Sequence, residues 1–345
     1  MENVKENIEH ATQLGSVVQK SKSAAWWGVR ALGNMMASGV KTIVSVIFIL
    51  LIFSFLGNAF SGSLKTSTMQ EVHVSGEGPN KIVIVPLAGV IAYGNEGLLN
   101  GSKTIVPEQV RKTLSQVEGD EHVKGVILEI DSPGGSAVAS DDIFETITAF
   151  KHKKKQPVVA LMKDTAASGG YYIASSADKI VANPATLTGS IGVIATNLKV
   201  KGLMDKLGVQ EDVYKKGLYK DIFSPTRDTT EEEKKIIDSI LDDTYKLFID
   251  RVALGRNLSP EHVELLANGR IYSGKQAKEA GLVDSLGNLP TAVETTKGLA
   301  GISQAEVVRL ETGGFLDQLF SGVSLGIFSR LFAPVSLPHV WFLMQ

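Results

Sequence analysis

Residues 164–194 read "DTAASGGYYIASSADKIVANPATLTGSIGVI" and set one hydroxyl, Ser168, between two alanines and two glycines. The preceding "PVVALM" (157–162) is a short continuous apolar run headed by Pro157, the pattern of a buried strand. A helix begins at or just after Ser168, because "YYIASSAD" can run helically. "KIVANP" and "GSIGVI" then read as short strands. Ser168 therefore falls at a strand-to-helix junction, at the sheet edge where α/β folds place their sites.

The same alternation extends outward. "KIVIVPLAGVIAYG" (81–94) reads as a strand and turn, and Val110, Leu114 and Val117 recur at helical spacing. "VKGVILEI" (123–130) is a second continuous apolar strand, ending at "DSPGG", and residues 140–150 read as a helix. Strands alternating with helices argue for an α/β domain with a largely parallel sheet. From residue 229 the pattern changes. "TTEEEKK" is a capping-box start, and Ile236, Ile237, Ile240, Leu241, Tyr245, Phe248 and Val252 make one apolar helix face. "GRIYSGKQAKEAGLVDSLG" (269–287) reads as strand, helix, glycine stop and strand.

Of 345 residues 43% are hydrophobic and 21% charged, enough to bury a core. The net charge of -2 gives no broad nucleic-acid footprint. The basic run at 151–155 reads as a solvated helix end. Cysteine is absent, which excludes disulfides, thiolate catalysis and cysteine-ligated zinc. Residues 42–64 carry no charge, and 42–60 as a helix would reach about 28 Å, one hydrocarbon core. Lys20, Lys22, Arg30 and Lys41 precede this run. The expectation is one transmembrane helix in a cell membrane, residues 1–41 cytoplasmic and the bulk outside. Residues 61–80 read as a polar linker. The apolar tail, 311–345, is broken by Asp317, Arg330, Pro334 and Pro338 and makes a poor second span. Its end, "VSLPHVWFLMQ", is expected to dock in an apolar groove of its own or a neighbouring subunit.

Two readings of Ser168 stand side by side. It is a helix N-cap beside glycines that permit tight packing, or a nucleophile whose neighbours leave bare N–H groups facing a carbonyl. "DSPGG" (131–135) favours the second, since it also follows a buried strand and can offer amides as an oxyanion hole. Such a donor is worth roughly 3–4 kcal/mol at the developing charge. It fails as a phosphate loop, because no G-K-[ST] follows. The hydroxyl needs a base. His10, His73, His122, His152, His262 and His339 all read as solvent-facing or outside the core. A lysine has a pKa near about 10.4, so less than about one in a thousand is neutral at pH 7. Burial lowers that value by roughly 3–5. The candidates are Lys179, Lys199, Lys206, Lys215, Lys216 and Lys220, of which Lys220 in "GLYKDIFSP" has the most apolar neighbours.

In order, "VPLAGVI", "LEIDSPGG", "MKDTAASGGYYIASSADKIVANPATLTGSIGVI", "KKGLYKDIFSP" and "GRIYSGKQAKEAGLVDSLG" resemble the signal peptide peptidase A family of membrane-anchored S49 serine peptidases. The likeness covers residues 81–287. It implies a ClpP/crotonase-like fold in a peptidase domain, residues 81–310. It also implies a Ser-Lys dyad with Ser168 as nucleophile and Lys220 as general base. Ser190 would orient the lysine, and Gly169 with Gly134 or Gly135 would form the oxyanion hole. No metal or cofactor is implied. The partners would be peptides such as remnant signal peptides, the bilayer through residues 42–60, and further copies of the chain, with serine and lysine coming from neighbouring protomers. Three rivals remain: a Ser-His esterase using His262 or His339, a non-catalytic membrane scaffold, and a related peptidase that trims specific membrane proteins.

Overall fold

The computed structural model describes residues 69–94 and 104–312. Residues 1–41, the apolar run 42–60 and the tail beyond residue 312 lie outside the described residues. None of the described helices is long and apolar enough to cross a membrane.

The strands are, in chain order, β1 (Met69–Ser75), β2 (Lys81–Ala88), β3 (Val90–Ile91), β4 (Thr104–Ile105), β5 (Val123–Ser132), β6 (Val158–Ala167), β7 (Lys179–Ala182), β8 (Leu187–Gly189), β9 (Ile271–Ser273), β10 (Ser285–Leu286) and β11 (Glu306–Thr312). The main sheet runs β1-β11-β2-β5-β6-β7-β10. All neighbours in it are parallel except the edge pair β1–β11. The expected α/β class is therefore found.

The central strands are apolar on both faces because both faces are covered. Ile82, Ile84, Ile127, Val159 and Leu161 pack with Ala292 and Val293 of the helix Leu289–Ala300. Val83, Val85, Val126 and Leu128 face the other way, onto a larger core that includes Leu114 of the helix Pro107–Glu118 and Ile143, Phe144 and Ile147 of the helix Ala137–Lys154. Each such side chain contributes about 1.5–3 kcal/mol relative to exposure. The helix Glu231–Arg256 starts at the expected capping box, Thr230 with Glu233.

The sheet forks at β6. Its first half, Val159–Met162, pairs with β7, whereas Thr165–Ala167 pairs with β8, which in turn pairs antiparallel with β9. Ser168 follows directly on that fork.

Met69–Ser75, within the segment read as a linker, is a strand. It is mostly exposed and is held by backbone pairing to β11, which leaves little mark in an apolar pattern. The strand expected at "GSIGVI" lies earlier, at Leu187–Gly189, and the chain leaves the sheet at Ser190. Ser190 has φ +48, which a continuing strand would not allow.

Candidate active site

Ser168 has φ +52 and ψ −121, a left-handed excursion that a non-glycine residue adopts only under constraint. The constraint is visible on both sides. Its N–H donates to the Gly189 carbonyl of β8 at 2.8 Å, and its carbonyl accepts the Tyr172 N–H at 2.8 Å. The helix that follows, Gly169–Ser175, is wholly buried. Tyr171 is buried and donates its hydroxyl to the Leu282 carbonyl at 2.9 Å. Tyr172 donates to Asp141 at 2.7 Å and stacks edge-on to Phe144. Burial, then the Asp141 carboxylate, pushes the Tyr172 phenol well above its ordinary range, so it stays neutral.

The "DSPGG" loop presses against this turn. Gly134, at φ +105, is so close that a β-carbon there would lie 2.8 Å from both the Ser168 Cβ and the Gly169 nitrogen. A β-carbon on Gly169 would lie 2.5 Å from the Ser140 hydroxyl and 3.3 Å from the Gly135 nitrogen. Both loops therefore need glycine for close approach. The Gly134 N–H is already used, donating to the Ser132 hydroxyl at 3.1 Å. The Gly135 and Gly169 N–H groups carry no hydrogen bond among the described residues. Both residues line one cavity of about 520 Å³ together with Ser168 and Ser190.

The cavity continues along an apolar wall. Val193 and Ile194 line it, as do Leu241, Tyr245 and Phe248 of the helix Glu231–Arg256. The last three are spaced i, i+4, i+7 and so share one helix face. Tyr245 is pinned by its hydroxyl on the Ala267 carbonyl at 2.6 Å.

Residues 150–303 match the family model of peptidase family S49, and residues 98–187 match that of Clp protease. Over 257 residues the chain is 39% identical to an Enterococcus faecium protein provisionally named signal peptide peptidase SppA, covering 74% of this chain and 73% of that one. The chain belongs to peptidase family S49. It is a serine-type peptidase. A provisionally named protease of Methanocaldococcus jannaschii is 36% identical over 78% of this chain and 85% of its own. A chloroplastic serine protease SPPA of Arabidopsis thaliana is 35% identical over 68% of this chain but 34% of its own length.

Within this S49 chain, the expected site residues are only partly brought together. Ser168, Ser190, Gly135 and Gly169 share the cavity, with Gly134 packed behind Ser168. Ser190 is buried, its N–H on the Arg270 carbonyl at 2.8 Å and its hydroxyl 3.4 Å from the Gly269 carbonyl. Lys220 is not among the cavity residues. It sits exposed in a turn where its N–H meets the Gly217 carbonyl at 3.3 Å. His73, His122, His152 and His262 are exposed and none lines the cavity, which counts against a Ser-His pair within the described residues. Ser132 and Ser140 also pack at the site, and in the sequence nothing separates them from ordinary capping serines. Ser140 alone carried a weak sign, an i+4 spacing from Ser136, whose carbonyl takes its hydroxyl at 2.9 Å.

Proposed function

We propose that this S49 peptidase cleaves peptide bonds through an acyl-enzyme on Ser168, with Lys220 of a neighbouring copy as general base. The observation that carries the reading is the Ser168 turn: a half-buried hydroxyl in a strained left-handed residue, facing a cavity beside two unbonded amides.

The neutral amine of Lys220 takes the Ser168 proton as the oxygen attacks the scissile carbonyl. The Gly135 and Gly169 N–H groups receive the oxyanion. The C–N bond then breaks, and the lysine returns the proton to the leaving amine. Water, deprotonated by the same amine, attacks the ester; the ester C–O bond breaks, and the lysine gives its proton to the departing Ser168 oxygen, which releases the acid and restores the neutral amine. Ser190 orients the amine.

A lysine serves as base only where water is excluded. Lys220 lies in a segment that exposes large apolar side chains, with Tyr214 94% and Leu218 71% accessible. A second copy packed over that surface would both deliver the amine and desolvate it, in keeping with the Clp-like match. The apolar wall of the cavity suits extended peptides with apolar side chains. Residues 42–60 as a membrane anchor would hold the site at the outer surface, and remnant signal peptides fit that place and chemistry.

The test is labelling by a small fluorophosphonate together with hydrolysis of a fluorogenic apolar peptide. Wild type should label at Ser168 and cleave. Ser168→Ala should do neither, and Lys220→Ala should lose nearly all cleavage. Full activity in Ser168→Ala would overturn the proposal.

A further inference from the structure

The turn that carries Lys220 is tied down by a cluster of charges that the chemistry above leaves unused. Asp221, the next residue, takes two cations. Arg227 donates to it through Nε and Nη2, each at 2.9 Å, and through Nη2 to its carbonyl at 2.9 Å. Lys215 also reaches Asp221 and, at 3.0 Å, the Leu218 carbonyl. Arg227 does not end there. Its Nη1 donates at 2.9 Å to Glu233, which is 2% exposed. Glu233 also accepts the Thr230 N–H at 2.9 Å, closing the capping box of the helix Glu231–Arg256.

That helix carries the apolar wall of the Ser168 cavity on the same body. One guanidinium therefore joins the Lys220 turn to the helix that shapes the pocket. Planar bidentate contacts of this kind fix geometry in a way a single ammonium does not. We propose that Arg227 is a positioning residue, which fixes where Lys220 is presented by clamping Asp221 to Glu233. The inference rests on the reading of Lys220 as general base.

The charged groups of the turn and of the segments bonded to it include Lys201, paired with Asp228, and Asp212. The turn itself supplies Lys215, Lys216 and Asp221. The segment before it supplies Lys199, on the Ser224 carbonyl at 2.7 Å, and Glu211, on Thr226. The helix start supplies Arg227 and Glu233. Removing Arg227 removes one positive charge from the cluster beside the Lys220 turn and leaves the Asp221 and Glu233 carboxylates without their guanidinium. The ascending limb of the pH–rate profile should then move to higher pH.

The experiment measures kcat and KM across pH for the full chain, in wild type, Lys220→Ala, Arg227→Gln, Arg227→Lys, Arg227→Gln with Asp221→Asn, and Thr230→Ala. Arg227→Gln should lower kcat about 10- to 100-fold with KM little changed, and raise the limb. The double variant should return the limb while kcat stays low, because the charges cancel and the turn is still untethered. Arg227→Lys should fall between, which keeps the test open should Arg227→Gln fail to fold. Thr230→Ala frays the same helix start and should lower the melting temperature without moving the limb. If Lys220→Ala is inactive but Arg227→Gln or Arg227→Lys matches wild type, the positioning role is overturned and the base reading stands. The role also falls if Thr230→Ala reproduces the kcat loss and the limb shift. An active Lys220→Ala overturns the base reading itself, and this inference with it.

Discussion

Gly134 and Ser168 touch through positions where one has no side chain and the other has its nucleophile candidate. A β-carbon on Gly134 would stand 2.8 Å from the Ser168 Cβ, and the glycine's φ is +105. Gly134→Ala must therefore strain its own backbone and push Ser168 out of line. A misplacement of about 1 Å at the reacting atom costs about 100-fold in rate. Fluorophosphonate labelling of Ser168 should slow by a similar factor, with the protein still folded by circular dichroism. An alanine variant that labels at the wild-type rate would show that the contact does not set the serine's position.

A base delivered from a neighbouring copy makes a prediction that a base within the chain does not. Ser168→Ala and Lys220→Ala are each expected to be inactive. Co-expressed in equal amounts, they should assemble sites that take serine from one variant and lysine from the other. Random mixing in a head-to-tail ring restores about a quarter of wild-type activity. Activity no higher than that of either variant alone would leave no role for a shared site.

The sheet was legible because its central strands are buried on both faces and so read as unbroken apolar runs. The capping box at Thr230 and Glu233 was legible for a different reason, since it is a local motif complete within four residues. The fork of β6 was not. Pairing of Thr165–Ala167 with Leu187–Gly189 depends on residues some twenty apart, and neither stretch is strongly apolar. That the Gly134 N–H is taken and the Gly135 N–H is not was hidden for a related reason. It turns on where the Ser132 hydroxyl points, and a sequence holds no side-chain directions. The clamp on Asp221 was equally out of reach, because charged residues spaced by six do not announce which will meet.

The proposed function has the apolar wall receive the substrate side chain. Leu241 lines the cavity from the helix Glu231–Arg256, one turn before Tyr245. Leu241→Trp should fill part of the roughly 520 Å³ space without altering the serine turn. A change of one methylene in an apolar subsite already discriminates by about 10- to 200-fold. Peptides with leucine or phenylalanine should therefore lose kcat/KM by that order, while alanine peptides stay within about threefold of wild type. Equal losses for both would mean that the wall does not hold the substrate side chain.

The clamp that holds the Lys220 turn should also appear in the pH dependence of stability. Arg227, and then the Thr230 N–H, lower the Glu233 carboxyl from 4.5 to about 2. Arg227, followed by Lys215, holds Asp221 well below the usual carboxylate range. Both groups bind protons more weakly folded than unfolded. The unfolded state therefore takes up more protons as the pH falls, and stability declines. Their contribution is complete above the unfolded carboxylate range and is lost as pH drops from about 4.5 toward about 2. Thermal melts should show the melting temperature of wild type falling across that window. Glu233→Gln should start lower at pH 6 and fall less steeply, because one of the two titrating groups is gone. Parallel curves for the two proteins would mean that Glu233 keeps its ordinary affinity for protons, and that Arg227 does not grip it in solution.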